Sequence, residues 1–365
     1  MPAPKIRQSE ALLEATLSAG ATLMDWSLAG RCLDGQSLRG STFLRCNLQQ
    51  AGFSGAALED ITFIDCNLTG ANFENARLKS VNFVQSDCTD MVFSGSHSEG
   101  CSMVKCTAPR VNFANARLDK SSFVESNLEN SNFDQAVISM SAFLSAKLQG
   151  SDAGGVTFTR VAMPGCDLRN VNLMHAHFEC SALPEARLDG ADLRATRFLK
   201  TALSKANLEG ASLNGAHLHY SSFAFAKLSG ASFSNAEAFA VQFGGAGLRG
   251  ADFRGAFLKR AGFGASDLRN ANLQDIDASD ANFECAQLDG ATLAGARCDN
   301  ASFSHALIGT AVFSGTRLEG AGFHETRRDD AIGLRLPPSA HCDDVERSIS
   351  EKFDPAAKVQ HAPAI

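Results

Sequence analysis

Ala71-Asn72-Phe73-Glu74-Asn75 is followed by Ala76-Arg77-Leu78-Lys79-Ser80, and far downstream Ala251-Asp252-Phe253-Arg254-Gly255 by Ala256-Phe257-Leu258-Lys259-Arg260. In each quintet a small residue precedes Phe or Leu by two places, and the other positions are mostly polar or charged. Central positions from Leu23, Leu28 and Leu33 onward to Phe323 keep one five-residue register, 61 units with no insertion. The position two earlier is Ala, Ser, Thr, Cys or Val almost throughout. A helix cannot use this pattern, because five residues at about 3.6 per turn walk round the axis. A flat strand cannot either, since its side chains alternate. A chain that turns a corner every five residues can. Each side then presents one small and one large residue inward and three residues outward.

A second period lies inside the first. Phe dominates centres such as Phe43, Phe53, Phe63 and Phe73, and Leu dominates centres such as Leu28, Leu38, Leu48 and Leu58. Four units closing one square coil place Phe on two opposite sides and Leu on the other two, so like stacks on like. The register yields about 15 coils. At ~4.8 Å per layer the rod is roughly 70 Å long.

The Ala-(Asp/Asn)-(Leu/Phe)-x-x tandem resembles the pentapeptide-repeat proteins over more than four-fifths of the chain. That resemblance implies an all-β fold, a right-handed quadrilateral parallel β-helix with the small and central residues inside. It implies no single function. The family includes inhibitors that imitate duplex DNA to type II topoisomerases, and secreted effectors.

Bulk properties narrow the classes. A net charge of −7 over 365 residues disfavours direct nucleic-acid binding, which uses a basic footprint. No apolar run approaches the ~20 residues that span a bilayer. Glu10 and Glu14 interrupt any secretory core at the N-terminus, so the expected location is cytoplasmic. Of eleven cysteines, Cys46, Cys66, Cys101, Cys106 and Cys166 occupy the small inward position and Cys88 and Cys298 occupy centres, as buried small hydrophobes do.

The domain reading is an N-terminal helical cap over 1–20, a repeat region over 21–325, and a linker, C-terminal helix and tail over 326–365. In the cap, Ser9 starts a short helix, Leu12, Leu13 and Leu17 form its stripe, and Gly20 ends it. Trp26, Arg31 and Gln36 stand where small inward residues belong, which predicts a distorted first coil that plugs the end. Two stretches, 86–110 and 151–165, have weak centres such as Ser98, Ala108 and Ala153. They read either as a bend, bulge or groove, or as tolerated decay. In the C-terminal helix Val345, Ile349 and Phe353 recur every four residues, as a cap over the last coil or a homodimer contact.

No catalytic constellation and no cofactor or metal site emerges. His175, His177, His217 and His219 are tempting ligands, but His177 and His217 lie two coils apart, ~10 Å, too far to share zinc. Assigning residues 21–325 to four faces gives net charges of −3, −1, −4 and +2. A duplex of that length carries one negative charge per ~1.7 Å, which disfavours duplex mimicry. The +2 face also carries apolar groups in outward positions: Leu199 and Tyr220, then Phe239 and Phe257. Arg197, Lys200, His217, His219, Lys259 and Arg260 surround them. Exposed aromatics rimmed by cations suit a protein-binding hot spot, although Phe239 could instead turn inward over the small Ala238. The expectation is a non-enzymatic, bacterial-type scaffold or adaptor with a protein partner. The alternatives are a secretion-system effector or its loading accessory, and a topoisomerase-binding DNA mimic.

Overall fold

The computed structural model describes Leu13, Thr16, Leu17 and residues 19–341. The chain forms two compact units, one up to Ser212 and one from Leu213 on. Each is a parallel β-solenoid.

In the first unit, residues pair with the residue 20 positions away, as in Phe43 with Phe63 and Leu118 with Ile138. Seven three-residue strands, from Thr22–Met24 to Ala142–Leu144, stack in one parallel sheet, and nine, from Ser37–Arg39 to Arg197–Leu199, in another. The other two sides of each coil pair through single bridges, such as Asn47 with Asn67 and Asn72 with Val92. In the second unit the same 20-residue ladder runs from His217 with Glu237 to Val312 with Ile332, entirely as single bridges, and a last bridge joins Gly322 to His341, 19 residues on.

The fifth residue of each quintet turns the corner. Non-glycine residues there take φ between 47° and 60°, as at Asn75 (56°) and Asn130 (58°). This left-handed conformation explains why Gly and Asn recur at that position. Two corner types follow. In a closed corner the amide of the next small residue bonds the carbonyl three residues back, as in Ala51 N–H to Leu48 O at 3.0 Å, with positive φ at Gln50. That is a type II turn. In an open corner the quintet remains a full strand, and a side chain of the next coil takes the amide: Cys106 N–H donates to Ser126 Oγ at 3.1 Å. Ser126 Oγ in turn donates to Met103 O at 3.1 Å.

The second residue of the quintet has its own task. Asn or Asp there accepts the amide two residues on, as Asn72 Oδ1 does from Glu74 at 2.9 Å and Asn282 from Glu284 at 2.8 Å. The side chain satisfies a backbone donor that the short side leaves unpaired.

The interior is filled as the two periods require. Phe43 stacks on Phe63 with ring centroids 4.9 Å apart, and Phe53 on Phe73 at 4.6 Å. The two stacks meet edge to face, Phe53 against Phe63 at 6.3 Å, the offset and T-shaped contacts aromatic rings prefer.

Several expectations are corrected. About 15 coils of uniform sides were expected; full strands hold for nine turns of the longer sheet, and beyond them closed corners replace strands while the coils continue through single bridges. The expected N-terminal helix is seen in part, with Leu13, Thr16 and Leu17 in helical backbone and Leu13 and Leu17 buried, while Val345, Ile349 and Phe353 lie outside the described residues. The first coil keeps the register, with Leu23, Leu28, Leu33 and Leu38 all buried, while Trp26 and Arg31 stay half-buried and Gln36 exposed. The stretch 86–110 contains no bulge, since Arg117–Asp119 pairs residue for residue with His97–Glu99. What the small Ser98 leaves is a cavity of about 20 Å³ against Phe93 and Phe113, and Ala153 leaves a similar one beside Phe133. The ladder also continues past Glu325, through Arg327 and Ile332 to His341.

Candidate functional site

The outward face of the second unit around residues 217–260 is built by register. His217 bridges Glu237, and Glu237 bridges Phe257, so these three form one column across three successive coils. His219, Phe239 and Lys259 occupy the equivalent place two residues on, and Tyr220 and Arg260 sit at corners with φ of 59°. Leu218, Ala238 and Leu258 between them face the core.

The aromatic residues converge. Tyr220 is 54% exposed and Phe257 39%. Phe239 lies between them, edge-on to Tyr220 at 5.4 Å and parallel to Phe257 at 6.4 Å. Its ring therefore stays outside, and the small Ala238 does not draw it into the core. The Arg260 guanidinium lies over the Phe239 ring, 5.9 Å from its centroid, within cation–π range. Arg260 also faces Asp280 at 3.9 Å, so part of its charge is already met. Leu199 and Lys200 belong to the first unit, Leu199 half-buried at a strand end and Lys200 exposed at the next corner.

Backbone chemistry explains His219. Glu237 replaces the usual Asn or Asp and leaves the Phe239 amide without its ordinary acceptor. His219 Nδ1, one coil earlier, accepts that amide at 3.2 Å. His217 Nδ1 meets Glu237 Oε2 at 2.8 Å, and His219 Nε2 approaches the same oxygen at 3.5 Å. Sequence reading paired His217 with the distant His177 and missed this trio. The signal was available, because outward positions flanking one centre share a face and Glu237 follows His217 by 20 residues.

Two further features were not foreseen. Phe225 is 62% exposed, at a corner position that sequence reading treated as generic. Its ring lies over Gly245, 2.6 Å from where a Cβ would stand, so any side chain there would make the exposed ring move aside. In the first unit a shallow cavity of about 710 Å³ spans Leu38, Leu58 and Leu78. Within it Glu59 is held between Arg39 at 2.7 Å and Lys79 at 2.8 Å.

Burial pushes the Cys101 thiol up to about 11 and the Cys166 thiol up to about 12, so neither is a thiolate at neutral pH. Among the described residues no helix is long and apolar enough to cross a membrane.

Both units are thus stacks of four-sided coils built from five-residue sides, with function left to outward residues. Models of pentapeptide repeats match residues 36–109 and then segments from 99 to 235 and from 246 to 295, and the chain belongs to the pentapeptide repeat family. Among curated proteins no relative matches the sequence.

Solved structures with similar folds include full-length QnrB1, a plasmid-mediated fluoroquinolone resistance protein. It is 19% identical, covering 54% of this chain and 98% of QnrB1, with a TM-score of 0.36. HetL, a pentapeptide repeat protein involved in heterocyst differentiation regulation in the cyanobacterium Nostoc sp. strain PCC 7120, is 20% identical, covering 79% and 98%, with a TM-score of 0.27. A pentapeptide repeat protein of the Arabidopsis thaliana thylakoid lumen is 22% identical, covering 40% and 77%, with a TM-score of 0.23.

Proposed function

We propose that the chain is a non-catalytic protein-binding scaffold, a cytoplasmic adaptor of bacterial type, whose second unit docks a partner over Tyr220, Phe239 and Phe257. The observation that carries this reading is the ring cluster itself. Two aromatic side chains stand well exposed on a face whose repeat calls for polar residues, with a third ring holding them together. Exposed apolar patches on a coil surface carry an aggregation cost unless something covers them. Lys259 and the Arg260 guanidinium above the Phe239 ring suit an acidic protein segment, which would compete with Asp280 for Arg260. Convex, repetitive faces favour docking over catalysis, which needs groups converging in a concavity. The buried thiols fit a reducing compartment.

The test is a Tyr220→Ala/Phe257→Ala double variant titrated against the partner recovered with the wild-type chain. Both side chains point outward, so melting should be unchanged. Removing one anchor should cost about 2 kcal/mol of binding, roughly thirtyfold in affinity. Unchanged affinity would move the docking face elsewhere.

A further inference from the structure

We propose that His217, His219 and Glu237 form a binding site for one divalent transition-metal ion of the zinc type. The two imidazoles flank the buried Leu218, so the backbone sends both outward on one face, ring centroids 6.2 Å apart. Register then brings a carboxylate to them from the next coil. The three nearest donor atoms all lie within 4.8 Å of one another, with Glu237 Oε2 2.8 Å from His217 Nδ1 and 3.5 Å from His219 Nε2. Ligands about 2.0–2.2 Å from a tetrahedral zinc are about 3.3 Å from each other. The trio therefore needs only small side-chain movements, with no shift of the coil. Two imidazoles and one carboxylate select zinc, cobalt, nickel or copper over magnesium or calcium, which prefer all-oxygen sites. Glu237 is exposed, so the fourth position opens to solvent.

The proton inventory sets what loading entails. The Phe239 amide donates to His219 Nδ1, so the neutral metal-free ring holds its proton on Nε2. Ligation through Nε2 moves that proton to Nδ1 and releases the Phe239 amide to water. On His217 the proton now shared with Glu237 moves from Nδ1 to Nε2, and the ion takes its place. Metal binding is thereby coupled to the backbone beneath Phe239. The site does not rest on the docking reading, since it is measured on the chain alone.

The experiment is a zinc titration of the full chain against a chromophoric chelator, with cobalt(II) absorption as the coordination probe. One ion per chain should bind, and His217→Ala and Glu237→Gln should each weaken it at least tenfold. His219→Asn is the third variant, because an asparagine can still accept the Phe239 amide: Asn214 Oδ1 accepts the Ser234 amide in the same way at 3.2 Å. It should fold normally and lose the metal. The Phe239 amide resonance should shift on zinc addition, which chelation elsewhere would not produce. His305 and His324 form a second close histidine pair of the second unit, ring centroids 5.4 Å apart, and a His305→Ala/His324→Ala variant should bind as the wild type does. The proposal is overturned if no stoichiometric ion binds at millimolar zinc, or if the three site variants bind as tightly as the wild type.

Discussion

The two units use one repeat and build different walls. In the first, two sides of each coil are full strands over most of its length; in the second, every described side pairs through single bridges. The small inward residue accounts for the difference. After strand-bearing sides of the first unit it is usually Ser, Cys or Thr, as at Cys66, Ser86, Ser126 and Thr201, or a β-branched Ile61 or Val81. In the second unit it is Ala at most corners, as at Ala226, Ala251 and Ala286. Alanine offers no side-chain acceptor to the coil before it, so the amide there closes a turn onto the carbonyl three residues back, as Ala231 does to Leu228 at 3.1 Å one coil before Ala251. Serine or cysteine offers an acceptor to the preceding coil and a donor to its carbonyl, so the corner can open. A hydroxyl or thiol permits the open corner without enforcing it, since Ser131 and Ser221 still close theirs.

The largest effect should come from the feature the units share. Phe123 stacks on Phe143 at 4.7 Å in the first unit, and Phe253 on Phe233 at 4.6 Å in the second. Aspartate at either site buries an unpaired carboxylate, which should cost about 4 kcal/mol or more, while outward Glu125→Ala should stay within about half a kcal/mol. Urea denaturation checks this. Comparable tolerance at inward and outward sites would break the common description of both units.

The corner chemistry is sharpened by Ser126→Ala. Ser126 is buried, accepts the Cys106 amide at 3.1 Å and donates to Met103 O at 3.1 Å. Its loss leaves a buried amide without an acceptor, an expected cost of about 1–3 kcal/mol. The reverse change, Ala256→Ser, should cost less than about 1 kcal/mol. Its hydroxyl can bond the carbonyl three residues back, as Ser266 does to Phe263 at 2.7 Å without opening the corner. Equal costs in both directions would remove side-chain acceptance as the reason for open corners. Amide exchange at Cys106, accelerated in Ser126→Ala, is the local check.

Most of the fold was legible because every fifth residue repeats the same burial decision. Phe on Phe, Leu on Leu and the inward cysteines all follow from register alone. The corner type was not read, because Ala, Ser, Thr and Cys were pooled as small. Volume is the right criterion for the core and the wrong one for hydrogen bonding. The regular first coil was misjudged for a related reason: backbone pairing holds its register even where Trp26 and Gln36 cannot enter the interior. At the candidate site, Tyr220, Phe239 and Phe257 were legible as apolar residues in outward positions. The position of the Phe239 ring was not, since it depends on Tyr220, Phe257 and Arg260 meeting it in space. The His217–His219–Glu237 trio was missed by comparing distant coils rather than adjacent ones.

The smallest effect concerns charge pairs that both units share. Asp167 pairs with Arg169 at 2.6 Å in the first, and Asp267 with Arg269 at 2.6 Å in the second. The Arg169 guanidinium and, secondarily, the Arg169 amide outweigh burial and hold the Asp167 carboxyl at about 2, against an ordinary 3.8. Because the folded value is depressed, the pair stabilises the fold above about pH 4, and that contribution is lost as pH falls toward 2. Asp167→Asn keeps an acceptor for the Arg169 amide and removes only the charge. At pH 7 it should cost at most about 2.5 kcal/mol, since a shift of one unit corresponds to about 1.4 kcal/mol. Melting curves of wild type and variant should converge between pH 4 and pH 2. Asp267→Asn should show the same sign, since Arg269 likewise lowers the Asp267 carboxyl. A variant that melts as the wild type does at both pH 7 and pH 2 would mean that Asp167 acts through its hydrogen bond to the Arg169 amide alone, and that the charge pair adds nothing to either wall.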